Sequence, residues 1–215
     1  MLYRLENKKI NLDKMNITAS FDNGDIYNYR KFIIKVYKDN IPDELDIRYL
    51  SKVKSLHIYL PIKLLYGNDR FMGYTLKSYK KYDTSKMINA PRDNLLDAIY
   101  ELEEDINTIS QKKVILNGLD ANDAYYNGEL FITNPDKYII YNADGDSIRD
   151  LNNLELNGLL NKILVHELNG ENITRKSIGQ FSELLKNKDL YISNSEYLDE
   201  LLNDSPNVKE FVKKL

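Results

Sequence analysis

The sequence predicts an α+β fold, with strands and helices segregated rather than alternating. Short β-branched and aromatic runs dominate before about residue 85, and helical periodicity dominates after it. No internal repeat, low-complexity tract or Gly/Ser linker interrupts the chain.

The elements follow in order. Residues 15–37 read as strands, clearest at Phe32-Ile33-Ile34-Lys35-Val36-Tyr37, with turn material before it at Asp22-Asn23-Gly24-Asp25. Residues 42–55 predict a short helix: Pro42 suits a first turn, and Leu45, Tyr49, Leu50 and Val53 recur at helical spacing. Leu56 to Leu60 and Phe71 to Leu76 read as strands, with a hairpin turn at Gly67-Asn68-Asp69. A connecting segment covers about 76–90.

The strongest helix signal spans Pro91 to Ser110. Leu95, Leu96, Ile99, Leu102, Ile106 and Ile109 form one stripe there. The acids Glu101, Glu103, Glu104 and Asp105 read as a solvated face. Val114-Ile115-Leu116 and Glu129 to Ile132 are short apolar segments, and Asn127-Gly128 predicts a type I′ hairpin turn. Helices are expected at about 151–168, 174–187, 194–203 and 206–214.

Composition narrows the function classes. Hydrophobic residues make up 42% and charged residues 29% of 215, ordinary for a globular protein. The net charge of −3, with both signs mixed along the chain, predicts no general affinity for nucleic acid. The chain has no cysteine, which excludes disulfides and thiolate metal sites. Neither a signal peptide nor a membrane-length apolar run is legible, so the expected address is cytoplasmic, without membrane attachment. The sequons at Asn16 and Asn172 are then chance. Abundant Asn, Lys, Ile and Tyr without Trp suggests an AT-rich gene, such as that of a low-GC bacterium or its phage.

The order of elements resembles the protein kinase fold: a small β-rich N-lobe (1–76), then a reduced helical C-lobe (77–215) that opens with a long helix and a catalytic hairpin. Gly24-Asp25-Ile26-Tyr27 sits where a kinase's Gly-rich loop ends. Ile33-Ile34-Lys35 is similar to the strand whose Lys pairs with ATP phosphates, and Glu44 to the helix Glu that holds that Lys. Pro61 to Leu76 resembles the strand pair leading into the hinge. The resemblance therefore implies Gly24, Lys35 and Glu44 as nucleotide-binding positions, with ATP and magnesium as the ligand.

The hairpin carries the sharpest reading. Aligning Asp123-Ala124-Tyr125-Tyr126 with the kinase Asn-Ile-Leu-x segment puts Asp123 at the metal-binding Asn. The catalytic Asp position then falls on Gly118. The metal-binding Asp position falls on Asn134, with Pro135-Asp136 in place of Phe-Gly. Gly118 has no side chain to orient a hydroxyl, and neutral Asn134 is a weak cation ligand. Asp120 as catalytic residue and Asp136 as metal ligand are the substitutes that a shifted register would use, though neither shift repairs both positions.

The resemblance implies a pseudokinase-like binding or regulatory protein whose partner is another protein. An atypical phosphotransferase using Asp120, Asp123 and Asp136, and an α+β interaction protein of mobile-element origin, are the alternatives.

Plainer readings stand beside these. Lys35 also reads as an edge-strand lysine, Glu44 as a first-turn acid, and Asp120 and Asp123 as turn formers. Asn142 to Ser147 fails the spacing of a calcium loop and reads as surface loop. His57 reads as a packed residue of an apolar strand, and His166 as a charge at a helix C-terminus. No Walker loop, Gly-x-Ser-x-Gly or His-Glu-x-x-His occurs.

Overall fold

The computed structural model describes residues 2–6, 8–78 and 83–215. Residues 79–82 of the predicted connecting segment lie outside the described residues. The chain divides into two compact units. The first holds the sheet and the first helix. The second holds Ser55–Ile58 and everything from Asp83 onward.

The first unit is a seven-stranded antiparallel sheet. Its strands are β1 (Leu2–Leu5), β2 (Lys8–Asn11), β3 (Ile17–Phe21), β4 (Gly24–Tyr29), β5 (Phe32–Tyr37), β6 (Lys63–Gly67) and β7 (Arg70–Lys77). Their spatial order is β2-β1-β6-β7-β5-β4-β3. The predicted turn at Gly67-Asn68-Asp69 joins β6 and β7. Asn68 and Asp69 both take positive φ, 50° and 58°, the type I′ geometry whose twist matches that of paired strands. The first eleven residues, which carry no clear strand signal, add β1 and β2 beyond β6. Leu5 and Ile10 of these strands, with Leu12 just after them, share a core with Ile34, Val36 and Leu65.

Helix α1 (Glu44–Leu50) is shorter than its sequence pattern. Asp43 caps it, accepting the Leu45 amide at 2.8 Å. The apolar run Leu56 to Leu60 is not a strand. Leu56 is exposed and His57 to Leu60 are buried; within the second unit, Ile58 makes one parallel bridge to Ile132. A short apolar run in a buried loop and one in a buried strand look alike in sequence.

The second unit is built on α2 (Arg92–Gln111). Leu95, Ile99, Leu102, Ile106 and Ile109 of the predicted stripe are fully buried, each worth about 2 kcal/mol of apolar transfer. Strands β8 (Val114–Leu116), β9 (Ala124–Tyr126), β10 (Leu130–Ile132) and β11 (Tyr138–Ile140) follow. They pair antiparallel as β9 with β10 and β8 with β11. Helices α3 (Gly145–Asn169), α4 (Arg175–Lys186), α5 (Asn194–Leu202) and α6 (Val208–Val212) complete the unit. No helix among the described residues is long and apolar enough to cross a membrane.

Three local expectations are corrected. The β9–β10 turn is not type I′: Leu130 pairs with Tyr126, which leaves a three-residue loop with only Gly128 at positive φ. Asn142 to Ser147 is not all loop. Asp144 accepts the Ser147 amide at 2.8 Å and so starts α3.

The third correction concerns the acids of α2, which are not a uniform solvated face. Glu103 is buried and caps α5 from across the unit. It accepts from the Asn194 amide, the Asn194 side chain, the Ser195 amide and the Ser195 hydroxyl, the last at 2.6 Å. Truncation would take the acceptor from the buried Asn194 and Ser195 amides. Glu103→Ala is therefore expected to cost about 2–4 kcal/mol in urea unfolding. The exposed neighbour change Glu104→Ala is expected to stay within about 0.5 kcal/mol. Equal effects from the two would refute the capping role.

Candidate functional site

In the first unit, β5 runs between β4 and β7, so Lys35 is not an edge lysine. It is only 8% exposed, and its ammonium lies 5.2 Å from the centre of the Tyr37 ring, within cation–π range. Gly24 opens β4 opposite Tyr37. A Cβ there would lie 2.5 Å from the Val36 carbonyl oxygen, so close strand approach already requires glycine at that position.

Glu44 opens α1. The Arg48 guanidinium one turn on and the Tyr66 hydroxyl of β6 both donate to the same oxygen of its carboxylate. The Arg48 hydrogen bond, then that from Tyr66, holds the Glu44 carboxyl below its ordinary range. Burial, then Glu44 itself, pushes the Tyr66 phenol up.

In the second unit the hairpin collects the other predicted residues. β8 ends at Leu116, and the stretch 117–120 leads to a 3₁₀ turn at Ala121–Asp123. Asp120 caps that turn by accepting the Ala121 amide at 2.8 Å. Asp123 closes it reciprocally: its Oδ2 accepts the Asp120 amide at 2.9 Å.

β9 and β10 then bring Asn134 beside Asp123. The Asn134 amide nitrogen donates to Asp123 Oδ1 at 2.7 Å. The Asn134 oxygen accepts the Asp136 amide at 3.3 Å. Thr133 adds its amide and its hydroxyl to the Asp123 carbonyl. Asp120, Asp123, Asn134 and Asp136 thus form one hydrogen-bonded run.

This geometry bears on magnesium. Asp123 is 7% exposed, and each of its oxygens already accepts an internal hydrogen bond. The amide facing it presents N–H rather than oxygen. A hard cation needs oxygen ligands free to converge. In this structure Asp123 and Asn134 satisfy each other by hydrogen bonding.

Gly118 takes φ +64°, the left-handed region where an L-residue costs about 1–2 kcal/mol. Residues 116–119 are pinned by α3. Asn152 accepts the Leu116 amide at 2.7 Å, Glu155 accepts the Leu119 amide, and Lys162 donates to the Leu119 carbonyl. Asn152 also donates to the Ser110 hydroxyl and the Val114 carbonyl, both at 2.9 Å. The sequence reading does not pick out these residues. Their signal was a polar Asn152 on the same stripe as Leu156, Leu159 and Ile163.

His57 also departs from expectation. It is not a strand residue packed for its apolar surface. Its ring hydrogen-bonds Asp105 of α2 and lies 5.4 Å from Phe131.

No protein-family model matches the sequence, and no curated protein matches it. Among solved structures, the PknI kinase domain of Mycobacterium tuberculosis superposes with a TM-score of 0.52 at 10% identity, over 86% of this chain and 91% of that one. The kinase PK-1 of Cydia pomonella granulovirus matches with a TM-score of 0.47 at 13% identity, over 61% of this chain and 55% of that one. The PknI likeness is one of fold: the chain has the α+β fold of a protein kinase domain.

Proposed function

We propose that this chain is a pseudokinase-like regulatory protein that acts by binding another protein in the cytoplasm of a low-GC bacterium, or as a phage product there. It does not transfer phosphoryl groups at kinase rates. The observation that carries the reading is the hydrogen bond from Asn134 to Asp123. By the kinase resemblance, these two positions belong to a metal-binding Asp and a metal-binding Asn. Here the carboxylate and the amide are exchanged and satisfy each other. Gly118, at the position of the catalytic Asp, supports the same conclusion. Nucleotide held by Lys35 and Gly24 would then bind without help from magnesium.

Two measurements test this. Purified protein with radiolabelled ATP and magnesium or manganese is expected to label neither itself nor a generic acceptor above the Lys35→Ala background. In thermal-shift titrations, magnesium is expected to add nothing to any shift caused by ATP or ADP, because mass action registers only ligand bound to the folded state. Steady phosphoryl transfer that is lost in Lys35→Ala would overturn the proposal.

The Asn134→Asp variant probes the hairpin directly. It replaces a donor with a second carboxylate about 3 Å from a buried one. Stability is expected to fall by about 1–3 kcal/mol, and millimolar magnesium is expected to restore part of it. A variant as stable as the parent would mean that the Asn134 hydrogen bond does not define the site.

A further inference from the structure

His57 sits on the Ser55–Ile58 segment and is 8% exposed. Its Nδ1 lies 3.0 Å from Asp105 Oδ2. The same carboxylate oxygen accepts the Ser55 hydroxyl at 2.8 Å, the Leu56 amide at 2.8 Å and the His57 amide at 2.6 Å. Asp105 therefore fixes the ring through Nδ1. With Nδ1 engaged by Asp105, Nε2 is the ring nitrogen open to a ligand.

Nε2 faces another carboxylate. Nε2 is 3.4 Å from Glu101 Oε2 of α2. Glu129, from the loop between β9 and β10, brings a third ligand atom. All three ligand atoms lie within 4.8 Å of one another. Three potential ligand atoms thus converge on one small volume. An imidazole and two carboxylates at this spacing suit a cation at their centre.

We propose that His57 Nε2, Glu101 and Glu129 form a binding site for a divalent transition ion of the zinc class, with Asp105 fixing the imidazole. A regular tetrahedron with bonds of about 2.05 Å has edges of about 3.3 Å. The His57–Glu101 separation already matches that edge. Glu129 is exposed and has only its side chain to swing inward. One neutral imidazole and two carboxylates suit zinc better than magnesium, which favours an all-oxygen octahedron. The carboxylate behind the imidazole is the usual outer partner of a metal-bound histidine. The site joins α2, the Ser55–Ile58 segment and the β9–β10 hairpin, so the ion acts as a clamp on three elements.

The test uses the full chain, freed of any affinity tag and dialysed against chelator. Isothermal titration with zinc chloride is expected to show one equivalent bound, and cobalt is expected to give the visible absorption of a tetrahedral centre. The doubly substituted Glu101→Gln/Glu129→Gln protein changes only exposed side chains and should fold as the parent does. Its zinc affinity is expected to be lower by more than about 100-fold, and that of Asp105→Asn by about 10–100-fold. The chain has two histidines and no cysteine, so His166→Asn is the control and should bind zinc as the parent does. Absence of one-equivalent uptake would overturn the proposal. So would uptake unchanged in the double variant, or uptake lost in His166→Asn.

Discussion

Gly73→Ala is expected to leave the first unit without a stable fold. Gly73 lies in β7 with β5 on one side and β6 on the other, paired with Val36 and Leu65. A Cβ at this position would stand 1.9 Å from the Lys35 carbonyl oxygen, 2.9 Å from its carbon and 3.2 Å from the Val36 Cα. All three are backbone atoms in an inner strand, so no side-chain rotation relieves the clash. The strand would have to move by more than an ångström and break its ladder with β5. The loss is expected to exceed about 4 kcal/mol, a large part of a typical domain's 5–15 kcal/mol, quoted as a rough range. Hydrogen exchange should show the amides of β5 and β7 unprotected. Gly158 and Gly179 lie in α3 and α4 with open space where a Cβ would go. Alanine there is expected to stabilise by about 0.4–1 kcal/mol. A Gly73→Ala protein within 1 kcal/mol (roughly the ordinary effect of a substitution) of the parent would refute the close approach.

Asn152→Ala is expected to cost about 3–4 kcal/mol, read from the urea midpoint. Asn152 is fully buried, and three of its four hydrogen-bonding positions are filled. Truncation strands the Leu116 amide and the Val114 carbonyl of β8, and takes the Ser110 hydroxyl's acceptor lone pair out of use. It also opens a cavity between α2 and α3. Because Leu116 leads directly into the stretch containing Gly118, the damage should appear as line broadening in the amide signals of residues 116–123. Leu154→Ala, on the solvent side of the same helix, is expected to stay within about 0.5 kcal/mol. If the two substitutions cost the same, Asn152 is not the anchor of β8.

The helices of the second unit were legible because each buries one face, and burying one face writes a period into the sequence. The stripe of α2 is the plainest case, and all but Leu96 of it is buried. β5 was legible for the complementary reason: five of its six residues are buried, so it reads as a continuous apolar run. The N-terminal pair β1–β2 was not legible. It is short, rich in Lys and Asn, and exists because Leu5 pairs with Leu65, sixty residues away. Glu103 was misread for the same kind of reason. Its partners lie about ninety residues on, and a buried capping acid looks like any other acid in a charged run. In the hairpin, the kinase resemblance singled out Asp123 and Asn134 but not the hydrogen bond between them. Side-chain direction depends on strand register, and the register turned on whether the loop held two residues or three.

The order of the sheet has a further consequence for self-association. Among the described residues, its outermost strands are β2 and β3, and an unpaired edge invites strands from other molecules to extend the ladder. Each of these rims carries an obstacle. β2 presents the exposed side chains of Lys8 and Lys9, so two such rims would repel each other. β3 exposes Ile17 and Phe21, which would favour stacking, but its register slips between Ile17 and Ala19. That slip spoils the straight row of amides that an incoming strand would need. The N-terminal hairpin thus does more than lengthen the sheet: it covers the apolar flank of β6 and replaces it with a charged border.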